Sequence, residues 1–299
     1  MNNWKRIKKI VPYQWRHAFT SWRLSLGKGK TYDEIERYVD RKFYAVNKRH
    51  IDWDAPQSYM EKISVDKIYN LDPLKTRLTD KLLVQDWIKE KIGEKYLIPI
   101  YGVYDRFSDV DINALPERFV IKCNHDAGNV TIVDDKRDLT PKKLRYLQKH
   151  YDDYVLKLDF SLFGFEMHYR PIRPKLLIQK HMGSNLNDYK FLCFNGKPYY
   201  VWVDADRFIE HRRNIYNMNW ELQPFTWAFP NIEGPCEKPA CFEEMVQVAS
   251  KLSEGIPQVR VDLFCVDNRV YFGEMTFTCG NGLELLNPVE WDYKVGALW

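Results

Sequence analysis

Polar and apolar positions alternate most regularly between Val259 and Phe277. Val261, Leu263 and Cys265 fall on one face of a strand, and Arg260 and Asp262 on the other. A return strand sets Tyr271, Gly273, Met275 and Phe277 opposite Glu274 and Thr276. A three-residue loop, Asp267-Asn268-Arg269, brings Asp262 directly across from Glu274, whereas a two-residue loop puts them on opposite faces. Matching the polar faces therefore selects the odd loop. Cross-strand neighbours lie ~4.5–5.5 Å apart, close enough to share one divalent cation. Two carboxylates suit Mg²⁺, which prefers oxygen ligands. A solvated hairpin face carries the same pattern, so both readings stand.

The rest of the chain supplies helices first and strands later. Thr31, with Glu34 in the capping-box position, opens a helix over residues 31–50, and a short helix follows within 56–70. Asp72-Pro73 starts one long helix to Gly93 with Leu82, Leu83, Trp87 and Ile88 as its buried stripe. Lys81, near its beginning, is either an exposed lysine or a phosphate contact aided by the helix dipole. Strands are predicted at 97–104, Phe119–Cys123 and Val130–Val133, the last two joined by the small-residue loop Asn124–Asn129 beside Lys122. Such a loop is a hairpin turn or a backbone cradle for phosphates. A helix from Pro141 to about Leu158 precedes a strand Leu176–Met182 bearing Gln179 and Lys180. Residues 187–208 form two strands about Asn195-Gly196, with Asp188 and Lys190 alternating with aromatics. Asp204-Ala205-Asp206 is a D-x-D triplet at a strand end, either structural or metal-holding. Residues 208–240 read as a surface excursion, and Cys241–Gly255 as a helix.

Composition narrows the class. Eight of the 45 Lys and Arg lie in residues 1–30, which hold no acid, so the other 37 face 41 acids. This is not the cationic footprint of a nucleic-acid binder. No apolar run approaches the ~20 residues of a membrane span, which predicts a cytoplasmic protein. Trp15, Phe19, Trp22 and Leu26 recur at helical spacing among basic residues. That helix either docks on the fold or lies at an anionic membrane surface. The Gly27–Thr31 stretch fails as a P-loop, because the first glycine of that motif would fall on Leu24. Six scattered cysteines read as reduced thiols, and Cys236 with Cys241 lacks a second pair at zinc spacing.

Read in order, LTDKLLVQDWI, FVIKCNHDAGN, LLIQKHMG, LNDYKFLCFNGKP, DADRF, VRVDLF, GEMTF and NPVEWDYKVG resemble the ATP-grasp superfamily. The likeness is to the teichuronopeptide-biosynthesis type and covers roughly residues 55–299. It implies an α+β, ATP-grasp fold in which two α+β subdomains grip a nucleotide, with an N-terminal helical extension. The implied segments are 1–54, helical; 55–118, the first part of the fold; 119–183, the ATP-binding subdomain; and 184–299, the metal-bearing subdomain. By the same resemblance Lys81 and Lys122 contact ATP phosphates under a loop of His125, Gly128 and Asn129. Gln179, Lys180 and Met182 line the adenine slot, and Asp188 and Lys190 meet ribose or γ-phosphate. Asp262, Glu274 and Thr276 match the Mg²⁺ ligands, while Arg260, Lys190 and Arg207 are the catalytic cations. Three positions depart from the family pattern: Thr276 replaces an Asn, Gly128 is the one glycine of its loop, and Gln179 replaces a frequent Glu.

The implied chemistry is ATP-dependent activation of a carboxylate followed by amide formation with an amine. The implied partners are a uronic acid of a capsular or cell-wall glycan, or its precursor, and an amino acid or amino sugar. A glycosyltransferase using the D-x-D triplet and a non-catalytic scaffold are the alternatives.

Overall fold

A computed structural model describes residues 27–183, 188–205 and 211–299. The aromatic and basic stretch 1–26, Asp206 and Arg207 lie outside the described residues. No helix among the described residues is long and apolar enough to cross a membrane.

Helix α1 (Tyr32–Asn47) begins at the capping box of Thr31 and Glu34 and buries Ile35, Val39 and Phe43. Helix α2 (Tyr59–Tyr69) repeats the device with Ser58 and Glu61. The long helix expected after Asp72 is two: α3 (Pro73–Thr79) and α4 (Val84–Lys91). Asp80 adopts an extended conformation between them. Its carboxylate accepts from Leu82 N at 2.8 Å and from Asn124 Nδ2 at 3.0 Å. The break re-aims the apolar stripe, so Val84 and Ile88 are buried while Leu83 is 50% exposed.

Strands β1 (Ile100–Tyr104), β2 (Phe119–Cys123), β3 (Thr131–Val133) and β4 (Leu176–Lys180) form an antiparallel sheet in the order β1-β4-β2-β3. Phe119, Ile121, Cys123, Leu176 and Ile178 pack against Leu147 and Tyr151 of α5 (Pro141–Asp152). Helix α5 is shorter than expected; three single-turn 3-10 segments occupy residues 155–169 instead. The other sheet face carries Val120, paired with Gln179 on one side and Ile132 on the other, and Lys122 two residues on.

The second sheet is larger. Strands β5 (Asp188–Phe194), β6 (Lys197–Ala205), β7 (Arg212–Asn217), β9 (Gln258–Val266) and β10 (Arg269–Thr276) run in the order β10-β9-β5-β6-β7. Between them in the chain come β8 (Thr226–Trp227) and helix α6 (Phe242–Ser253). Phe191, Val261 and Leu263 on one face pack against Phe242, Met245, Val248 and Leu252 of α6, which leaves the opposite face for charged side chains. The chain closes through β11 (Leu286–Asn287), paired with β8, and α7 (Glu290–Gly296) on α2. Buried Asp292 of α7 accepts from Met60 N at 2.9 Å and Arg49 at 2.6 Å.

Three expectations are corrected here. Residues 208–240 include a sheet strand, because the polar run Arg212–Asn217 finds internal partners: Arg213 pairs with Asp204, and Asn214 donates to Gly234 O at 3.1 Å. Cys241 and Cys265, 24 residues apart, form a disulfide where α6 meets β9, while Cys123, Cys193, Cys236 and Cys279 are free. The β9–β10 turn has two residues, Asp267 and Asn268, both at positive φ (50° and 56°). This is the arrangement of a type I′ hairpin. The odd residue is a β-bulge at Gly273, which restores the pairing of Asp262 with Glu274.

Candidate functional site

The charged face of the second sheet is built row by row from strand register. Glu274 of β10 lies opposite Asp262 of β9, Asp262 opposite Lys190 of β5, and Lys190 opposite Trp202 of β6. One row away, Arg260 lies opposite Thr276. A Cβ on Gly273 would stand 2.9 Å from Asp262 O, so the bulge depends on the missing side chain. Asp262, 2% exposed, receives Arg260 Nε at 2.6 Å, Arg260 Nη2 at 2.7 Å and Lys190 Nζ at 2.8 Å. Lys190 also donates to Asp188, which is buried. Burial opposes ionisation of Asp262, but Arg260 and Lys190 outweigh it and hold the carboxyl below its ordinary range. Arg260 Nη2 reaches Glu274 Oε1 at 3.2 Å and Thr276 Oγ1 at 3.0 Å as well.

The first sheet presents Lys122 toward these acids. Burial and neighbouring Lys81 bring its pKa down to about 8, opposed by Glu274 and Asp126, so the charges of the two sheets act on one another. Lys81 stands in the turn between α3 and α4 rather than at a helix start. Its ammonium donates to Asp126 O, and its backbone N–H to Asn124 O at 3.2 Å. Gln179, half-buried beside Val120, donates to Ile98 O at 3.2 Å. Lys180 lies on the opposite face and is exposed, and Met182 follows the strand end, half-buried.

The loop after β2 is divided between a pinned base and an exposed tip. Asn124 Nδ2 donates to Asp80 Oδ2 and Arg173 O, each at 3.0 Å, and Lys175 N donates to Asn124 Oδ1 at 2.7 Å. His125 is 2% exposed, sits 3.2 Å from Val155 O through Nε2 and meets the Phe160 ring edge-on. Burial pushes its pKa down to about 4. A neutral, enclosed imidazole is a loop anchor, which corrects its expected place among phosphate contacts. Ala127 and Gly128 form the exposed tip, Gly128 at φ 92°. Asn129 hydrogen-bonds Asp126 through side chain and backbone.

Sequence reasoning missed Asn124, Asp126, Tyr169, Trp202 and Arg213. Tyr169 ends a 3-10 turn and titrates high through burial and the charges of Glu166, Glu274 and Asp126. Trp202 underlies both arginines, with Arg260 Cζ 5.4 Å and Arg213 Cζ 4.5 Å from its ring. Asp204 of the D-x-D triplet binds Arg213 Nε at 2.6 Å and Nη2 at 3.2 Å, which commits it to an ion pair. Alternation along β6 is the signal that could have found Trp202, and Asn124 and Asp126 lie in the loop Asn124–Asn129 already singled out; nothing local points to Tyr169 or Arg213.

No group of three His, Cys, Asp or Glu side chains gathers around one point among the described residues. Two carboxylates and a hydroxyl do converge, from Asp262, Glu274 and Thr276, and the atom on which they converge is a cationic guanidinium nitrogen. Three hard oxygens around a positive centre fit a magnesium ion.

Lys122 of one antiparallel sheet, with Lys81 beside it, acts on Glu274 of a second sheet that also carries Asp262 and Arg260, and the fold is that of the ATP-grasp class. The family described as TupA-like ATPgrasp matches residues 61–299, and the chain belongs to it. No curated protein matches the chain. Solved structures similar to it include the L-amino acid ligase from Bacillus licheniformis (13% identity, 85% of this chain and 57% of that chain, TM-score 0.45). Others are the D-alanine–D-alanine ligases from Helicobacter pylori (13%, 81% and 67%, 0.44) and from Bacillus anthracis complexed with ATP (16%, 67% and 54%, 0.38). The matched region therefore spans between 54% and 67% of those chains.

Proposed function

We propose that this chain is an ATP-dependent carboxylate–amine ligase. It joins a uronic acid of a surface polysaccharide, or its precursor, to an amino acid or amino sugar. The observation that carries the reading is the charge arrangement: Lys122 and Lys81 oppose Glu274, beside Asp262, Lys190 and Arg260.

Lys122 and Lys81 hold phosphate oxygens, under the Gly128–Asn129 loop tip. Gln179 and Met182 meet the base along the half-apolar face of the first sheet. Asp262, Glu274 and Thr276 hold Mg²⁺, which supplies charge neutralisation for the triphosphate. Arg260 and Lys190 stabilise negative charge on the transferred phosphoryl group. A substrate carboxylate oxygen bonds to the γ-phosphorus as ADP leaves. The amine nitrogen then bonds to the acyl carbon as phosphate leaves, its proton passing to solvent. Arg207 is assigned to the same cationic set on the family resemblance alone, whereas contact of residues 1–26 with the inner face of the membrane rests on the helical spacing of Trp15, Phe19, Trp22 and Leu26 among basic residues.

The test is incubation with ATP, Mg²⁺, a uronic-acid glycoside and mixed amino acids and amino sugars, with mass detection of products. ADP together with a condensed amide is the expected result. Turnover of a sugar nucleotide with ATP ignored overturns the proposal, although the Asp204–Arg213 pair already disfavours that chemistry.

A further inference from the structure

The three oxygens proposed for Mg²⁺ are not empty-handed. Nη2 of Arg260 bonds Asp262 Oδ2 at 2.7 Å, Thr276 Oγ1 at 3.0 Å and Glu274 Oε1 at 3.2 Å. A single cationic atom thus occupies the point where a metal would bind all three. A metal cannot share that point with a guanidinium, both for space and because like charges at this separation repel strongly where water is scarce.

The geometry points to Arg260 as a built-in counter-cation: it fills the metal position when nucleotide is absent and must leave for Mg²⁺ to enter. This rests on the ligase reading and adds an order of events. Three features fit the exchange. Asp262 keeps Lys190 at 2.8 Å, so its buried charge stays paired when Arg260 departs. Glu274 engages Arg260 through Oε1 alone, and its side chain is 39% exposed, which leaves Oε2 open to an incoming ion among the described contacts. The Trp202 ring, 5.4 Å from Arg260 Cζ, gives the displaced guanidinium an apolar and cation-binding surface on the same sheet face. Arg260 is therefore a positioning residue for metal entry before it acts on phosphate. Metal and guanidinium exchange also ties Mg²⁺ occupancy to the arrival of Arg260 beside the nucleotide.

The full chain is titrated with Mn²⁺, as a paramagnetic substitute for Mg²⁺, without nucleotide and then with a non-hydrolysable ATP analogue. Arg260→Met should bind Mn²⁺ without nucleotide about tenfold or more tighter than the parent, within the usual size of a coupling between two ligands. Adding Glu274→Gln to Arg260→Met should abolish the gain. Equal or weaker Mn²⁺ binding by Arg260→Met overturns the proposal. Should that variant not fold, the parent itself decides: the Arg260 Nε–Hε resonance, assigned by its loss in Arg260→Lys, must shift on addition of Mg²⁺ and the analogue. A resonance that stays in place overturns the exchange, even where metal and nucleotide bind. Absence of Mn²⁺ binding by every form, with and without nucleotide, overturns both the exchange and the ligase reading.

Discussion

Replacing Asp262 by Asn isolates the charge that organises the second sheet. The two side chains have the same shape, so packing is kept and ionisation is removed. Asp262 accepts two bonds from Arg260 and one from Lys190, at 2.6 to 2.8 Å, in a position 2% exposed. An amide keeps one acceptor and turns a donor toward groups that only donate. Removing one partner of a buried pair costs about 3–5 kcal/mol. Asp188 still holds Lys190 and Glu274 still holds Arg260, which offsets part of that and sets the expectation at about 3 kcal/mol, the lower end of the range. The assay is urea unfolding at neutral pH without nucleotide or metal. Its control is a double-mutant cycle: in the Lys190→Met background one of the two cations facing residue 262 is gone, so Asp262→Asn should cost less there. The sign with pH follows from the lowered folded pKa of Asp262. Its contribution is complete above the unfolded Asp value of about 3.9 and fades as pH falls through the folded value, so the gap between parent and variant closes in acid. A loss below about 1 kcal/mol, the size expected of a surface pair, or a cost of Asp262→Asn that is no smaller in the Lys190→Met background, refutes the reasoning.

Three further outcomes are expected. His168 is buried with neither ring nitrogen bonded, and burial pushes its pKa down to about 3. The unfolded chain takes up that proton near pH 6.5, so stability falls as pH drops below that value. His168→Phe should flatten thermal melting temperatures between pH 6.5 and 4.5; an unchanged slope contradicts this. Gly273→Val should cost about 1–3 kcal/mol, because its Cβ meets Asp262 O at 2.9 Å and the Phe264 ring at 3.0 Å. Faster amide exchange at the β9–β10 pairs around Asp262 is the readout, and native-like protection counts against the clash. Lys122→Ala should weaken ATP binding by about tenfold or more, as loss of a charge-assisted bond worth roughly 1.5–3 kcal/mol requires; calorimetry showing unchanged affinity removes Lys122 from the site.

Local signals were legible where they act locally. The boxes at Thr31 and Ser58, the Asn195-Gly196 turn and strand Phe119–Cys123 all follow from nearest neighbours, and so does the facing of Asp262 and Glu274. What stayed hidden depends on residues far along the chain. The helix breaks at Asp80 because Asn124 holds its carboxylate, and His125 turns inward because Val155 and Phe160 receive it. Strand β7 is polar by composition yet buried, since Asp204 and the 230–236 stretch satisfy its side chains. The three-residue loop expected between β9 and β10 failed for a different reason. An extra residue in a turn and an extra residue in a bulge shift the pairing equally, and alternation alone cannot distinguish them.

That equivalence means that the spacing of the two acids admits two hairpins, one with a longer turn and one with a bulge. A designer who lengthens the Asp267-Asn268 turn by one residue and deletes Gly273 moves from the second form to the first, and Asp262 still faces Glu274. Sequences whose insertions and losses fall at these two places would set the same two carboxylates face to face.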